Sequence, residues 1–348
     1  MKQPTDYKIK CKNEDFHVKE VPLMPLLSSK KPFGFTYLWV QKSGYTTFDA
    51  MKHIKDFFKL RFNDIASQGL KDEDAITEQL ISVRNILQEK DVALFNKKYK
   101  TRKKYFRIKR IVGYGNKSIK ERMLHGNSFQ VVIRNLKKKT AENLLNYLVT
   151  HRHHYFINYY DNQRFGMSGG PYNTHLIGKA VVEENWKRAF DHIKMTKNVV
   201  PDIQKRIESV SNYKSFFRTI NPKKIAFFVS SYNSFLWNNQ VSLLIKKHTS
   251  STRHYFQHVG NLHIPTSHSF QCPLICESDG YEFAEKTFTT KPKVYSKNIV
   301  IGTTIYANNL ENDELYKKRK KLTISFFLPT GSYATMIIKQ VFLRLYEK

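Results

Sequence analysis

The sequence contains little cysteine and no long hydrophobic run. Three cysteines, Cys11, Cys272 and Cys276, stand among 348 residues. They are too few for the disulfide framework of a small secreted protein, and they agree with a reducing compartment. No window reaches the roughly 18 to 20 apolar residues that a membrane span needs, because the best candidate, which begins at Ile225, is interrupted by Ser, Asn and Gln. Since MKQPTDYKIK also lacks the apolar core of a signal peptide, we expect a soluble cytoplasmic protein.

Acidic residues are also scarce. The chain has 29 Asp and Glu against 59 Lys and Arg, so its formal net charge is +30. A positive field of this size favours association with polyanions such as nucleic acid or an acidic membrane face. Composition leaves a second explanation open, because an AT-rich genome also encodes an excess of Lys, Asn, Ile, Phe and Tyr. The 41% hydrophobic content is sufficient for packed interiors, and the length favours two structural units.

Hydrophobic periodicity predicts both strands and helices. The alternation in DFHVKE predicts a half-buried strand with Phe16 on its inner face, and FTYLWV from Phe35 predicts a second strand. Helices are predicted after Gly44, at TAENLLNYLV with a cap at Thr140, and at ENWKRAFDHI from Glu184. The C-terminal TISFFLPTGSYATMIIKQVFLRL predicts a strand, a turn and a helix. The helix after Gly44 would carry one apolar face, formed by Phe48, Met51, Ile54 and Phe58.

Between about residues 184 and 301 the composition changes, because histidine and serine accumulate there. This change indicates a domain boundary. Six potential metal ligands lie within 23 residues of this region: His254, His258, His263, His268, Cys272 and Cys276. Their spacing does not fit the usual paired pattern of a zinc site, and no acid is suitably placed. We therefore predict no metal.

The segment KKYKTRKKYFRIKR, residues 97–110, has nine basic residues in fourteen. Lys and Arg neutralise phosphates, and aromatic rings can stack with unstacked bases. For the aromatic residues Tyr99, Tyr105 and Phe106, inward packing in a solvated strand pair is the favoured alternative. For the basic residues, phosphate contact is favoured. The predicted contacts with an RNA backbone are Lys100, Arg102, Lys103, Lys104 and Arg107.

The segment NYYDNQRFG, from Asn158, is followed by glycines at 169 and 170 but not by the Gly-Lys-Ser/Thr of a phosphate-binding P-loop. A nucleoside triphosphate site is therefore not expected. Asn158 and Gln163 can hydrogen-bond to a base edge, Tyr160 can stack on a base, and Arg164 can hold a phosphate or pair with an acid. A tight buried turn is the alternative.

Four separated stretches together resemble the TruD family of tRNA pseudouridine synthases. They are KCKNEDFHVKE from Lys10, GLKDEDAITEQ from Gly69, NYYDNQRFG from Asn158 and FLPTGSYAT from Phe327. HGNSFQVVIR, from His125, is similar to a fifth family segment. The resemblance implies an α+β fold of the pseudouridine-synthase type, with a mixed, largely antiparallel sheet and flanking helices. It also implies a catalytic domain of residues 1–183 and 302–348 and an inserted α/β TruD-specific domain of residues 184–301.

The function implied by this resemblance is that of an isomerase. The family converts uridine to pseudouridine in RNA, most typically at position thirteen of tRNA, without a cofactor or metal. It breaks the N-glycosidic bond, turns the base and rejoins it through carbon. The implied partner is tRNA, with no membrane and no protein partner. The alternatives are a non-catalytic RNA-binding or RNA-folding protein on the same scaffold, and a synthase that acts on a different RNA.

By the same resemblance Asp72, the acid of GLKD, is the catalytic aspartate. A carboxylate can attack the sugar carbon or stabilise the cation-like state there. Asp74 has the same side chain two residues later but does not occupy the motif position. We assign Asp74 to solvent or to a helix N-terminus, where an acid is favourable.

The remaining site residues follow from the same motifs. Phe16 and Tyr333 would flank the flipped uracil, Asn158 would bind it, and Tyr160 would form the pocket wall. Lys10 could pair with Asp72 or with a phosphate. The supporting residues would be Glu20, Gln163 and Arg164.

This chain also departs from the family pattern. The family usually has Phe where Tyr160 and Tyr333 stand, and usually Gly where Asp161 stands. A buried tyrosine hydroxyl needs a partner, and Asp161 would add a negative charge near the RNA path. Glu20 has a second possible role, as the structural partner of a nearby Lys or Arg.

Overall fold

The fold is that of a computed structural model. The structure describes residues 7–23, 34–99, 104–119, 123–166, 170–196, 212–267 and 275–345, together with residues 210 and 270. The chain divides into two compact units. We call residues 2–154 with 303–331 the sheet unit, and residues 155–302 with 332–348 the helical unit.

Fifteen strands lie in the described part of the chain. They are β1 (Phe16–Pro22), β2 (Phe35–Ser43), β3 (Ile65–Ser67), β4 (Ile76–Val83), β5 (Tyr105–Gly115), β6 (Leu124–Leu136), β7 (His153–Ile157), β8 (Thr252–Phe256), β9 (Asn261–Pro265), β10 (Ile275–Ala284), β11 (Thr289–Asn298), β12 (Val300–Thr304), β13 (Tyr306–Ala307), β14 (Glu311–Asn312) and β15 (Lys320–Pro329).

The α-helices of the same residues are α1 (Thr47–Phe57), α2 (Glu89–Lys98), α3 (Lys138–Thr150), α4 (Thr174–Val182), α5 (Trp186–Met195), α6 (Tyr213–Arg218), α7 (Pro222–His248) and α8 (Ala334–Leu345). No helix of the described segments combines the length and the apolar character that crossing a membrane requires.

The sheet unit contains one sheet of nine described strands, in the order β13-β15-β6-β1-β4-β2-β5, with β3 added to β4 and β14 to β15. Only the β1–β4 pair among these is parallel. The predicted α+β class with a largely antiparallel sheet is therefore confirmed.

Sheet order brings three distant segments to one edge. Because β1 is parallel to β4, with His17 opposite Ile76, both strands begin at the same edge of the sheet. Strand β2 is antiparallel to β4, and its residue Lys42 lies opposite Thr77, so β2 ends where β4 begins. The residues just before β1, just before β4 and at the end of β2 are therefore neighbours.

Helix α1 packs against the sheet and begins where the sequence indicates. Thr46 caps it, because the Thr46 hydroxyl accepts the Asp49 amide and the Asp49 carboxylate accepts the Thr46 amide. Met51 and Ile54 are buried as predicted. The prediction for Phe48 was wrong, since 56% of this residue is exposed.

In the helical unit the long helix α7 packs against α4, and β8–β9 and β10–β11 form antiparallel pairs. A Cβ atom on Gly178 of α4 would collide with the Phe228 carbonyl of α7, so the close approach of these helices requires glycine there. Ile177, Phe217 and Phe228 lie in the core of this unit.

The division of the chain differs from the predicted domain limits of 183/184 and 301/302. Residues 155–183 belong to the helical unit, because α4 packs on α7. Helix α8 also belongs there, since its Met336 and Leu343 pack with Trp237 of α7. The strand, turn and helix predicted for the C-terminal stretch are observed, at β15 and α8. Compactness does not identify the catalytic residues, so the functional domain assignment stays a prediction.

Candidate active site

Asp72 lies in the loop of residues 68–75, which joins β3 to β4. Its side chain is 45% exposed, and its Oδ2 atom accepts a hydrogen bond from Lys10 Nζ at 2.5 Å. Lys10 lies just before β1, so the convergence of β1 and β4 brings together two residues that are 62 positions apart. Of the two partners considered for Lys10, the structure has Asp72. Asp74 is exposed and precedes a strand, not a helix.

Lys10 also covers the aromatic ring beside it. Its Nζ atom lies 4.4 Å from the centroid of the Phe16 ring, within the range of a cation–π contact. The Phe16 residue is 2% exposed, and its ring also meets Phe129 edge-on at 6.0 Å. Lys10 has φ +56°, a left-handed conformation that is uncommon outside glycine. The same lysine therefore contacts both the acid and the ring predicted to flank the base.

Glu20 lies beneath this loop and is fully buried. Its Oε1 atom is 2.6 Å from Lys71 Nζ, and its Oε2 atom accepts the Leu80 amide at 2.8 Å. Burial raises the pKa of the Glu20 carboxyl, although the Lys71 charge acts to lower it. The position of Glu20 corresponds to the structural alternative, in which it neutralises the lysine next to Asp72.

Lys42 was not singled out from the sequence, yet it contacts the same loop. It is 0% exposed, and its Nζ donates to the carbonyls of Asp72 at 2.7 Å, Tyr45 at 2.8 Å and Lys71 at 3.2 Å. Burial lowers the pKa of Lys42 to about 8. In FTYLWVQKS the lysine at the end of a largely apolar strand is the sequence signal for this role.

In the helical unit, Asn158 follows β7 and is buried. Its side-chain Nδ2 donates to the Asn298 carbonyl at 3.3 Å. Its main-chain amide donates to the Ile299 carbonyl at 2.7 Å, and its main-chain carbonyl accepts a hydrogen bond from Trp237 Nε1 at 2.8 Å. Helix α7 and the end of β11 therefore hold the main chain of the NYYDNQRFG segment.

Tyr160 and Tyr333 are neighbours in this unit. Their ring centroids are 5.7 Å apart with an interplanar angle of 66°. Lys297, which was not predicted from the sequence, has its Nζ 4.1 Å from the centroid of the Tyr160 ring, within the range of a cation–π contact. Burial lowers the pKa of Lys297, while the Tyr160 contact acts to raise it. Lys297 is thus the charged neighbour of the Tyr160 side chain.

Arg164 and Gln163 differ in their surroundings. The Arg164 guanidinium donates to the hydroxyls of Ser230 and Ser234 on α7, with Nε 3.0 Å from Ser234 Oγ. Among the ion pairs of the described residues it has no acid partner. Gln163 is exposed. The Arg164 charge therefore remains available to an anion.

Asp161 does not add an open negative charge, contrary to expectation. It is 3% exposed, accepts from the Thr335 hydroxyl, and lies 2.5 Å from Lys339 Nζ. Burial acts to lower the pKa of Lys339, but Asp161 and Tyr255 outweigh it and raise the pKa. The acid at this position joins the segment after β7 to helix α8.

The basic tract consists of separate elements. Lys97 and Lys98 end α2, and Arg107 lies on β5. Phe106 is buried, as inward packing of the aromatics implies. The Lys104 side chain is 59% exposed. Of the predicted RNA contacts, Lys104 and Arg107 are described and exposed, and the remaining three lie outside the described residues: Lys100, Arg102 and Lys103.

The described residues contain no group of three or more His, Cys, Asp or Glu side chains that could hold a metal ion. His254 and His263 are close, with ring centroids 4.2 Å apart. His258 instead stacks on Tyr172 at 4.5 Å. His268 and Cys272 lie outside the described residues.

Comparison with known proteins gives one consistent result. The family model described as tRNA pseudouridine synthase D (TruD) matches residues 1–210, more than half of the chain. The chain belongs to the TruD family. Similar curated proteins called tRNA pseudouridine synthase D come from Leptospira interrogans and Aquifex aeolicus. Both are 24% identical to the chain over 97% of its length, and the matches cover 96% and 98% of those proteins.

The structural comparison supports the TruD fold. A crystal structure of a putative tRNA pseudouridine synthase D (TruD) from Methanosarcina mazei matches with a TM-score of 0.61 and 17% identity, over 97% of this chain and 93% of that chain. The TruD proteins are pseudouridine synthases, which are isomerases, so the predicted family and enzyme class are confirmed.

Proposed function

We propose that the chain is a tRNA pseudouridine synthase that isomerises uridine to pseudouridine, at position thirteen of tRNA, with Asp72 as the catalytic carboxylate. The observation that carries the assignment to Asp72 is its pairing with Lys10. The Lys10 ammonium lies 2.5 Å from Asp72 Oδ2 and holds this side chain in one position. An exposed acid in a chain of net charge +30 can meet a sugar that the surrounding basic residues attract.

The proposed reaction needs no external reactant. The target nucleotide is flipped from the RNA stack, at a cost of a few kcal/mol. The Asp72 carboxylate then attacks C1′ of the ribose or stabilises positive charge there while the N1–C1′ bond breaks and uracil leaves with the electron pair. After the base turns, its C5 atom bonds to C1′. The proton on C5 is lost and N1 gains one, so atoms and charge balance.

The other site residues are proposed to hold the base and its phosphates. Phe16 would flank the uracil once the Lys10 ammonium leaves the face of its ring. Tyr333 would also flank the uracil, Asn158 would hydrogen-bond to it, and Tyr160 would form a wall. Lys10 would contact the phosphate or remain paired with Asp72. Glu20 would support the loop through Lys71, and Gln163 and Arg164 would support the NYYDNQRFG segment. The RNA backbone contacts would include Lys104 and Arg107, with the undescribed Lys100, Arg102 and Lys103.

The proposed catalytic domain comprises residues 1–183 and 302–348, with residues 184–301 as the inserted domain. This division follows the motifs, which lie on both sides of the insertion. We also propose a cytoplasmic location, supported by the absence of a disulfide framework from a sequence with three cysteines.

Pseudouridine mapping tests this function. Total RNA should acquire a new pseudouridine with the wild-type protein and none with Asp72→Asn, since the amide cannot serve as an anionic nucleophile. RNA binding should survive, because the substitution removes a negative charge. Full activity of Asp72→Asn would contradict the mechanism. Modification of another RNA would favour the second synthase hypothesis, and tight binding without modification by either protein would favour the non-catalytic alternative.

A further inference from the structure

Lys42 is a fully buried lysine without a carboxylate partner among the ion pairs of the described residues. Burying an ammonium without a counter-charge is costly, so such a residue usually has a specific task. Its ammonium has three N–H donors, and they meet three main-chain carbonyls. Two of these carbonyls belong to Lys71 and Asp72.

The loop around Asp72 has few other main-chain anchors. The Lys71 amide donates to the Thr47 hydroxyl at 2.9 Å, and the Glu73 carbonyl accepts the Gly44 amide at 3.1 Å. Within the described residues, Lys42 is the partner of the Asp72 carbonyl, at 2.7 Å. Strand β2 thus reaches the loop through a single side chain.

The charges that face Lys42 come from two segments. Asp72 and Glu73 on the loop and Asp49 on α1 act to raise its pKa, whereas Lys71 acts to lower it. The positions paired with Lys42 on β4 and β5 are the uncharged Thr77 and Phe106. Burial outweighs all of these and lowers the pKa to about 8.

We propose that Lys42 is a positioning residue for the isomerisation, and that its ammonium holds the main chain of Lys71 and Asp72 so that the Asp72 carboxylate stays aligned with the ribose. This inference rests on the proposed role of Asp72. A neutral amine has two N–H groups and a lone pair, so deprotonation leaves one carbonyl oxygen facing that lone pair. The loop then loses an anchor, and activity falls as the pH rises through about 8.

The test measures single-turnover rates and tRNA affinity from about pH 6 to about pH 10, with a transcribed tRNA that carries uridine at position thirteen. Lys42→Met should lower the rate roughly a hundredfold, the scale of a small misplacement of a catalytic group, and leave tRNA affinity unchanged. Its rate should also lack the decline near pH 8. Lys90→Met, at an exposed lysine of α2, is the control and should retain both rate and pH profile.

Lys42→Arg provides a second, independent variant. A guanidinium stays charged throughout this range and has enough donors for three carbonyls. It should restore much of the rate and remove the decline near pH 8. If Lys42→Met does not fold, the wild-type and Lys42→Arg profiles still decide the matter. A decline near pH 8 that persists in Lys42→Arg would overturn the proposal.

Stability should move in the opposite direction to activity. Between about pH 8 and the ordinary value of 10.5, the unfolded chain retains the Lys42 proton that the folded chain has released. The Lys42 contribution to the free energy of unfolding therefore rises with pH in this window. The difference between wild type and Lys42→Arg in denaturant unfolding measures it. If the single-turnover rate rises and falls with the free energy of unfolding, Lys42 has a structural role only and the proposal fails.

These outcomes separate the two proposals. If wild type modifies tRNA and Asp72→Asn does not, but Lys42→Met keeps the wild-type rate and pH profile, the Lys42 proposal fails alone. If wild type modifies no RNA, or Asp72→Asn is fully active, the proposed function fails and the Lys42 inference fails with it.

Discussion

Lys297 lies beside Tyr160, one of the two tyrosines that depart from the family pattern. Tyr160 stands where the family resemblance implies Phe, and the Lys297 ammonium lies 4.1 Å from the centroid of the Tyr160 ring. The Lys297 ammonium also lies 5.4 Å from the Trp237 ring. Two aromatic rings and one hydroxyl therefore stabilise a cation that burial disfavours. The Lys297 ammonium therefore occupies one face of the Tyr160 ring.

Tyr160→Phe tests this pair. The ring remains, so we expect pseudouridine formation to continue, while loss of the polar contact between the hydroxyl and Lys297 costs about 1 kcal/mol of unfolding free energy. Urea unfolding of Tyr160→Phe, Lys297→Met and the double variant gives the coupling. The double variant should cost less than the sum of the two single costs, because both remove the same contact. Strictly additive costs would show that the two side chains do not interact.

Helix α7 organises the NYYDNQRFG segment at the level of elements. Asn238 accepts the Tyr160 amide at 2.8 Å and donates to the Tyr160 carbonyl at 2.9 Å, so one amide side chain replaces two backbone partners. Trp237 binds the Asn158 carbonyl, and Ser230 and Ser234 bind Arg164. An irregular segment thereby obtains a defined geometry from a regular helix.

Asn238→Ala should destabilise the protein, because it removes the acceptor of the Tyr160 amide and leaves the Tyr160 carbonyl with the longer bond from Gln257, at 3.4 Å. The expected cost is about 1–3 kcal/mol for the unsatisfied amide, measured by denaturant unfolding. Asn239→Ala, at the adjacent half-buried position of α7, is the matched control and should cost less. Equal losses in the two variants would mean that the helix is sensitive to any asparagine substitution there.

At the scale of the whole molecule, the net positive charge governs the attraction of RNA. A net charge of +30 in 348 residues creates a field that attracts any polyanion. Such attraction does not distinguish one RNA from another, so selection of a uridine must come from the pocket residues. The exposed lysines at the end of α2 and at the start of β5 are candidates for phosphate contacts.

Replacing Lys97, Lys98 and Lys104 with Gln should weaken tRNA binding and flatten its salt dependence. If each lysine neutralises one phosphate, the slope of log K against log salt should fall by roughly 2 to 3. Binding is measured over a salt series. A charge-matched triple variant controls for net charge alone, with Gln at three exposed lysines of the helical unit: Lys187, Lys223 and Lys224. Equal changes of the salt slope in both triple variants would show that the basic tract does not contact the RNA.

Local pattern was sufficient for most elements but not for their exact limits. Alternation predicted β1, the apolar segment FTYLWV predicted β2, and periodicity predicted α1. Helix α3 begins at Lys138, before the predicted cap at Thr140, and Phe48 is exposed although it fits the apolar spacing of α1. Periodicity reports which face of an element is apolar. It does not report how much of that face another element covers.

The sequence by itself determined the family, the class of reaction and the candidate acid. Each of the motifs around Asp72, Asn158 and Tyr333 is an unbroken stretch of sequence, so it can be recognised without the fold. Only the tertiary structure decided the Lys10–Asp72 pair, the Lys42 contacts with the loop and the inclusion of α8 in the helical unit. The physical reason is sheet order. The ends of β1, β2 and β4 meet because β1 runs parallel to β4 and β2 runs against it, and no local pattern encodes that arrangement.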